Sequence, residues 1–346
     1  MKSAGPKSGL LERMPRLGAH MSIAGGLPRA VDRAAAHGCE ALQIFTHSSG
    51  QWRARPIGAG EAAAFRDALR ATGIGPAVAH ASYLINLATP DPALRARSIA
   101  ALGMELDRTE ALGLLGVVVH PGCHTTGTEE EGLRLAAEAV RQSLRDHRRG
   151  RAMVILEQTA GQGTSIGWRF EQLARLIDHL RGDPRVGVCL DTCHLFAAGY
   201  DLGSDRGYRG TFDAFDRLIG RDRLVVLHAN DSKKPLGSRL DRHEHIGNGT
   251  LGLAAFRRLV NDRRFAGLPM LLETPKTAGR SSTRVEVDPL DVMNLGTLRG
   301  LRRATSDGHL GDVALRLSPP PSTPDPRRTP RPGTGRRARP TSRRRP

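Results

Sequence analysis

The sequence predicts a closed barrel of eight parallel strands alternating with helices, and three observations carry that expectation. Eight short apolar runs alternate with stretches of helical patterning between Leu17 and about Arg303. Runs buried on both faces and joined by helical crossovers pair in parallel. The span also suits a (β/α)8 TIM barrel, typically about 250 residues, with long loops after its strands. The expected layout is a flexible N-terminal extension over residues 1–16, the barrel over 17–303, and a tail over 304–346. From Ser318 onward Pro and Arg dominate, too polar to build a core, so a disordered basic C-terminal tail is expected.

The elements follow in order. Leu17 to His20 is the first strand, ending in Ser22 and Gly25-Gly26. Leu27 to His37 is a helix, with Pro28 in its first turn and Gly38 as its stop. Ala41 to Thr46 and Pro76 to His80 are the next strands, separated by a helix from Glu61 to Ala71. A long helix, Pro92 to Leu112, leads to strand four, Gly116 to His120, closed by Pro121-Gly122. A helix from Glu129 to about His147 precedes strand five, Met153 to Glu157. Phe170 to Leu180 is helical, and Val186 to Asp191 is strand six. A helix near Phe212 to Leu218 then precedes strand seven, Leu224 to His228. Leu253 to Val260 is its helix, Met270 to Glu273 the eighth strand, and Leu290 to Leu301 the last helix.

The formal net charge of +17 has to be located before it is interpreted. Only five of the 52 basic residues are lysines, a bias that matches a GC-rich genome. Nine arginines against Asp325 put +8 of that charge between Ser318 and Pro346, which leaves +9 for the rest. The body is therefore basic in its own right and suits an anionic partner such as nucleic acid. If four tail arginines contact phosphates, deleting Ser318 to Pro346 should flatten the salt dependence of DNA binding by roughly 3.6 log units per log unit of salt. Binding isotherms of full-length and truncated protein across a salt series check this, and equal slopes would leave the tail without a binding role.

Four cysteines (Cys39, Cys123, Cys189, Cys193) form no CxxC pair and read as small buried residues in a reducing compartment. No apolar stretch approaches the roughly 20 residues of a membrane span. The first fifteen residues lack a signal-peptide core. A cytoplasmic monomer with no membrane partner is expected.

In a barrel of this kind, residues at the carboxyl ends of strands share one site. Those ends carry His80, His120, Glu157, Asp191 and His194, His228, and Glu273, with Asp241 and His243 in the loop beyond His228. Five imidazoles and four carboxylates at one rim suit divalent metal, zinc above all. Nine ligands exceed the needs of two ions, and three is the natural count, with bound water completing the shells. Two ions roughly 3.5–4 Å apart suit in-line phosphoryl displacement. Phosphodiester hydrolysis is the leading chemistry. A sugar isomerase or epimerase would need fewer metals and no long Asp-x-His loop. A DNA-binding protein without catalysis would not need the complete ligand set.

The segments GVCLDTCHLFAAGYD (Gly187 to Asp201) and HANDSKKPLGSRLDRHEHIGNGTLG (His228 to Gly252) resemble signatures of the endonuclease IV family of apurinic/apyrimidinic endonucleases. GAHMSIAGGL, HASYLINLA, HPG, LEQTAGQG and LETPK resemble further motifs of that family in the same order, so the likeness covers Leu17 to about Arg303. The resemblance implies a trinuclear zinc site on a barrel like that of xylose isomerase, with manganese or iron as alternatives at some positions. It implies that His80, His120 and Glu157 hold one ion. Glu157 bridges to a second, bound also by Asp191, His228 and Glu273, while His194, Asp241 and His243 hold the third. Glu157 and Glu273 are the expected catalytic carboxylates.

The implied substrate is double-stranded DNA containing abasic sites, cut on their 5′ side to leave a 3′-hydroxyl and a 5′-deoxyribose phosphate. Blocked 3′ ends are a further implied substrate. Tyr83 and Leu84 match residues that push into the duplex. Arg53, Arg55, Lys233, Lys234, Arg239 and Arg242 are candidate phosphate contacts. Gly50 departs from the pattern, because some relatives carry a DNA-inserting arginine there. His20 and Gln158 are candidates to support the ligands, and Cys189 and Cys193 match no ligand position.

Overall fold

The computed structural model describes residues 14–277 and 283–303, so the tail and the first thirteen residues of the expected extension lie outside the described residues. The barrel strands are β1 (Arg16–Met21), β2 (Ala41–Phe45), β3 (Ala77–His80), β4 (Gly116–Val119), β5 (Met153–Glu157), β6 (Val186–Asp191), β7 (Leu224–His228) and β10 (Pro269–Leu272). They close in the order β1-β10-β7-β6-β5-β4-β3-β2, every neighbouring pair parallel. Between β7 and β10, β8 (Asp231–Ser232) and β9 (His243–Glu244) form a small antiparallel ribbon.

The helices are α1 (Leu27–Ala36), α2 (Ala59–Thr72), α3 (Pro92–Leu112), α4 (Glu129–Asp146), α5 (Phe170–His179), α6 (Thr192–Ala198), α7 (Asp205–Leu218), α8 (Leu253–Asn261) and α9 (Pro289–Arg303). Local chemistry fixes their ends. Asp91 caps α3 by accepting from the amides of Ala93 and Leu94, and Gly113 ends it in the left-handed conformation. Thr128 caps α4, whose first turn carries three glutamates suited to a helix N-terminus.

Besides the β8–β9 ribbon, two helices differ from the sequence expectation. No helix is expected at Thr192–Ala198, yet α6 starts directly after β6 with no polar turn between them. Asp191 makes this possible, because its Oδ1 accepts from the amides of Cys193 and His194. The next helix starts at Asp205 rather than near Phe212, because the Ser204 side chain caps it.

The apolar core has two parts. One fills the space between barrel and helices, and a smaller one comprises Ala41, Val78, Val118, Ile155, Cys189, Val225, Val226 and Leu271. Apart from Val225, the smaller set draws one residue from each of seven barrel strands and forms the layer that plugs the barrel. At the corresponding place on β1, Gly18 leaves room that a side chain would take. A Cβ there would stand 2.0 Å from the carbonyl oxygen of Ala41. Strand side chains alternate faces, so the residue two positions on points inward again, one layer closer to the carboxyl rim. Those residues are His20, Gln43, His80, His120, Glu157, Asp191, His228 and Glu273. Among the described residues, no helix is long and apolar enough to cross a membrane.

Candidate metal centre

The strand pleat thus delivers six of the nine expected ligands to one place. α6 adds His194, the loop between β8 and β9 adds Asp241, and β9 itself adds His243. Ligand atoms fall into three groups, each within 4.8 Å: His80, His120 and Glu157; Glu157, Asp191, His228 and Glu273; His194, Asp241 and His243. Glu157 belongs to two of them. Its Oε2 lies 3.2 Å from His80 Nε2 and 3.1 Å from His120 Nε2, and its Oε1 lies 3.0 Å from His228 Nδ1. Two ligands on a tetrahedral zinc with bonds of about 2.0–2.1 Å stand roughly 3.3 Å apart. These spacings are of that kind.

For four of the five rings, a hydrogen bond on the far side decides which nitrogen faces the site. His80 Nδ1–H donates to the Ala81 carbonyl (2.9 Å), His194 Nδ1–H to Gln158 (2.8 Å) and His243 Nδ1–H to Glu273 (3.1 Å). Each leaves Nε2 directed inward. His228 is turned the other way: Nε2–H donates to Gln43 Oε1 at 2.9 Å, which leaves Nδ1 facing Glu157 and Glu273. The Nε2 atoms of His194 and His243 are buried without a well-directed hydrogen bond, although each stands 3.1 Å from an Asp241 oxygen. Inward-facing imidazole nitrogens, spaced as ligands and interleaved with carboxylates, fit divalent metal.

The electrostatics agree. Burial alone would push Glu157 up, but the imidazoles of His120 and His228 outweigh it and hold the carboxyl well below its usual range. Burial likewise opposes protonation of His243, yet Asp191 and Asp241 raise it to about 9. Cys189 and Cys193 lie within reach of ligand groups. Burial raises both thiols, Cys189 to about 12.

Three supporting residues escaped the sequence reading. Gln43 accepts from His228, and its amide nitrogen donates to Glu273 and lies 3.0 Å from His20 Nδ1. Asn230 donates to Asp191 Oδ2 at 2.6 Å and accepts from the Glu273 amide at 2.8 Å, fixing two ligands at once. Asp231, fully buried, accepts from the backbone amides of Ser232, Gly247, Gly249, Leu251 and Gly252. A Cβ on Gly249 would lie 2.3 Å from that carboxylate, so glycine is required there. Gln158 and His20 do sit behind the ligands, Gln158 through its main-chain carbonyl and His20 beside Glu273 at 3.8 Å.

The comparisons with known proteins match this geometry to a family. A family model described as a xylose isomerase-like TIM barrel matches residues 31–291. A protein of Chloroflexus aurantiacus named "Probable endonuclease 4" is 50% identical over 288 residues, covering 83% of this chain and 98% of its own. One of the same name from Geobacter sulfurreducens is 49% identical over 293 residues, covering 84% and 96%. The crystal structure of endonuclease IV from Thermus thermophilus superposes with a TM-score of 0.72 at 40% identity, covering 83% of this chain and 98% of that one. The chain belongs to the endonuclease IV family. A D-psicose 3-epimerase structure, at 14% identity and a TM-score of 0.58, shares the fold alone.

Around the candidate metal groups of this endonuclease IV family member, the rim carries the residues expected to meet DNA. Tyr83 is 71% exposed, with its ring edge-on to Phe45 at 5.3 Å, and Leu84 beside it is half-buried. Arg53, Lys234 and Arg242 are exposed. Arg55 pairs with Glu61 at 2.8 Å and Lys233 stands 3.9 Å from Glu244, so both already have carboxylate neighbours. Arg239 lies over the ring of Trp168. A cleft of about 230 Å³ opens between His80, Tyr83, His120 and Ser165.

Proposed function

We propose that this chain, a member of the endonuclease IV family, acts as a metal-dependent apurinic/apyrimidinic endonuclease of base excision repair. It hydrolyses the phosphodiester 5′ of an abasic site in duplex DNA, leaving a 3′-hydroxyl and a 5′-deoxyribose phosphate. The observation that carries this reading is the set of nine imidazole and carboxylate ligands gathered at one rim beside an exposed tyrosine. His80, His120 and Glu157 would hold one ion, Glu157, Asp191, His228 and Glu273 a second, and His194, Asp241 and His243 a third. Zinc bound there supplies Lewis acidity toward phosphoryl oxygens and lowers the pKa of water.

The protein's own groups do the rest. Gln43 and Asn230 keep His228, Asp191 and Glu273 turned toward the phosphate's place, and Glu157 spans two groups. The projecting Tyr83 is shaped to enter the gap left by a missing base, which offsets an unstacking cost of a few kcal/mol. Arg53, Lys234 and Arg242 stand where the phosphates of a bound duplex would pass. The same centre would remove blocking groups from 3′ ends, since the bond broken is again a phosphoester. The chain is read as a cytoplasmic monomer.

Product chemistry tests the proposal. An abasic duplex incised by hydrolysis yields a 3′ end that a DNA polymerase extends directly. A 3′ end carrying a sugar fragment, as elimination would leave, would refute it. Gly50 offers a second check on the DNA-facing loop. A Cβ at Gly50 meets nothing within 4 Å, so Gly50→Arg should be accommodated. It should tighten binding to abasic duplex several-fold, the scale of one good phosphate or stacking contact, ~1 kcal/mol. Unchanged affinity in a titration would show that this loop does not approach the duplex.

A further inference from the structure

The nine candidate ligands are not held equally. His80, His120, Glu157, Asp191, His228 and Glu273 lie at, or one residue beyond, the end of a barrel strand, where the closed sheet fixes them. His194 follows on α6, which Asp191 caps. Asp241 has no such frame. It lies between β8 and β9, outside both, and its side chain is 39% exposed.

Besides the ribbon bond from the Lys233 amide to the Arg242 carbonyl (2.9 Å) and the Thr250 hydroxyl on the Lys234 carbonyl (2.6 Å), contacts to two other elements hold this segment. The Gly237 amide donates to the Phe196 carbonyl at 3.0 Å and the Arg239 amide to Ala197 at 2.9 Å, docking the segment on α6. On the other side, the Arg239 guanidinium sits 4.0 Å from the ring centre of Trp168, near the end of the β5–α5 loop. Gln162 of the same loop accepts from the Asp241 amide at 3.4 Å. The loop is shaped for that ring: Gly161 has φ 78°, and a Cβ there would stand 2.9 Å from Trp168. Arg239 itself holds φ 54°, a region that costs a non-glycine residue and persists where neighbours impose it. Arg169 approaches the same ring at 4.9 Å but pairs with Glu129 at 2.5 Å, so it is tied to α4 and not to the ligand loop.

We infer that Trp168 and Arg239 form a clasp that sets the affinity of the His194, Asp241 and His243 group for its ion. The barrel alone holds the other two ions, and the third is held only while the two loops are joined. This rests on the reading of the site as a three-ion centre. Arg239 is then a positioning residue, spent on Trp168 and not on a phosphate.

Chelator titration of the full-length zinc-loaded protein tests the clasp, with bound ions counted per chain and thermal unfolding followed alongside. In Arg239→Ala, the chelator concentration that strips the first ion should fall roughly two- to fivefold, as expected for an exposed cation–aromatic contact. The concentration that strips the other two should not move. Trp168→Ala should behave alike, and the double variant no worse than either single one. Arg239→Lys should recover most of the loss, since an ammonium also binds the ring face. Arg239 is exposed, so its removal leaves the core intact and the unfolding temperature close to that of the parent. Identical release curves for parent and Arg239→Ala would overturn the clasp, as would loss of all three ions together. A parent protein that holds fewer than three ions overturns the three-ion reading itself, and the clasp with it.

Discussion

Replacing Glu157 by glutamine is expected to lower abasic-site cleavage by roughly 10³-fold or more, above the 10–100-fold typical of groups that only orient ligands. Glu157 is fully buried and joins the His80 and His120 group to the Asp191, His228 and Glu273 group. One oxygen faces His80 and His120, the other His228 and, at 3.4 Å, His194. Glutamine keeps the shape but removes the negative charge and turns an amide N–H toward an imidazole nitrogen meant for metal. Metal content should fall together with activity, while circular dichroism and the elution volume stay those of the parent. Glu273→Gln should follow the same pattern less severely, since Glu273 serves one group and is partly exposed. A Glu157→Gln protein that cleaves within tenfold of the parent would remove Glu157 from the chemistry.

Replacing Asp231 by alanine should be the most damaging single change outside the ligands, costing on the order of 3–5 kcal/mol of stability. The buried carboxylate gathers five backbone amides from both ends of the loop that carries Asp241 and His243. A hydrogen bond to a charged acceptor is worth about 1.5–3 kcal/mol, and donors stranded in a buried site cost a similar amount each. Some of the amides would regain water at the rim, which keeps the total below the sum of five. The urea midpoint should drop, and the third metal group should weaken even where the barrel remains folded. An unchanged midpoint would mean that the loop is organised by its ribbon and glycines alone.

Much of the barrel was legible in the sequence because parallel strands buried on both faces leave uninterrupted apolar runs. Met153–Glu157, Val186–Asp191 and Leu224–His228 have the expected bounds, as does the helix Pro92–Leu112. α6 was not legible, since its signal is a single aspartate that ends a strand, caps a helix and faces the metal groups at once. The ribbon of two-residue strands is too short to leave a pattern.

At the site, the ligands stood out because histidines and carboxylates recurred at run ends. Gln43 did not, since one polar residue inside ALQIF reads as noise. The period of two would have found it. Counting two on from the plug residues Val78, Ile155 and Leu271 reaches His80, Glu157 and Glu273, and the same step from Ala41 reaches Gln43. Asn230 and Asp231 lie in the family-like segment His228 to Gly252, yet which amides they bind depends on a loop path that spacing does not encode. Arg239 has a partner that spacing does not encode: an exposed arginine at the rim suggests a phosphate contact, and only the fold brings Trp168 beneath it.

Zinc titration of the metal-free protein, with cleavage of an abasic duplex followed at each equivalent, tests the proposed three-ion hydrolytic centre most directly. Activity should stay near baseline through the second equivalent, rise with the third and level off there. Full activity at a single equivalent, or in protein kept free of metal, would contradict the account.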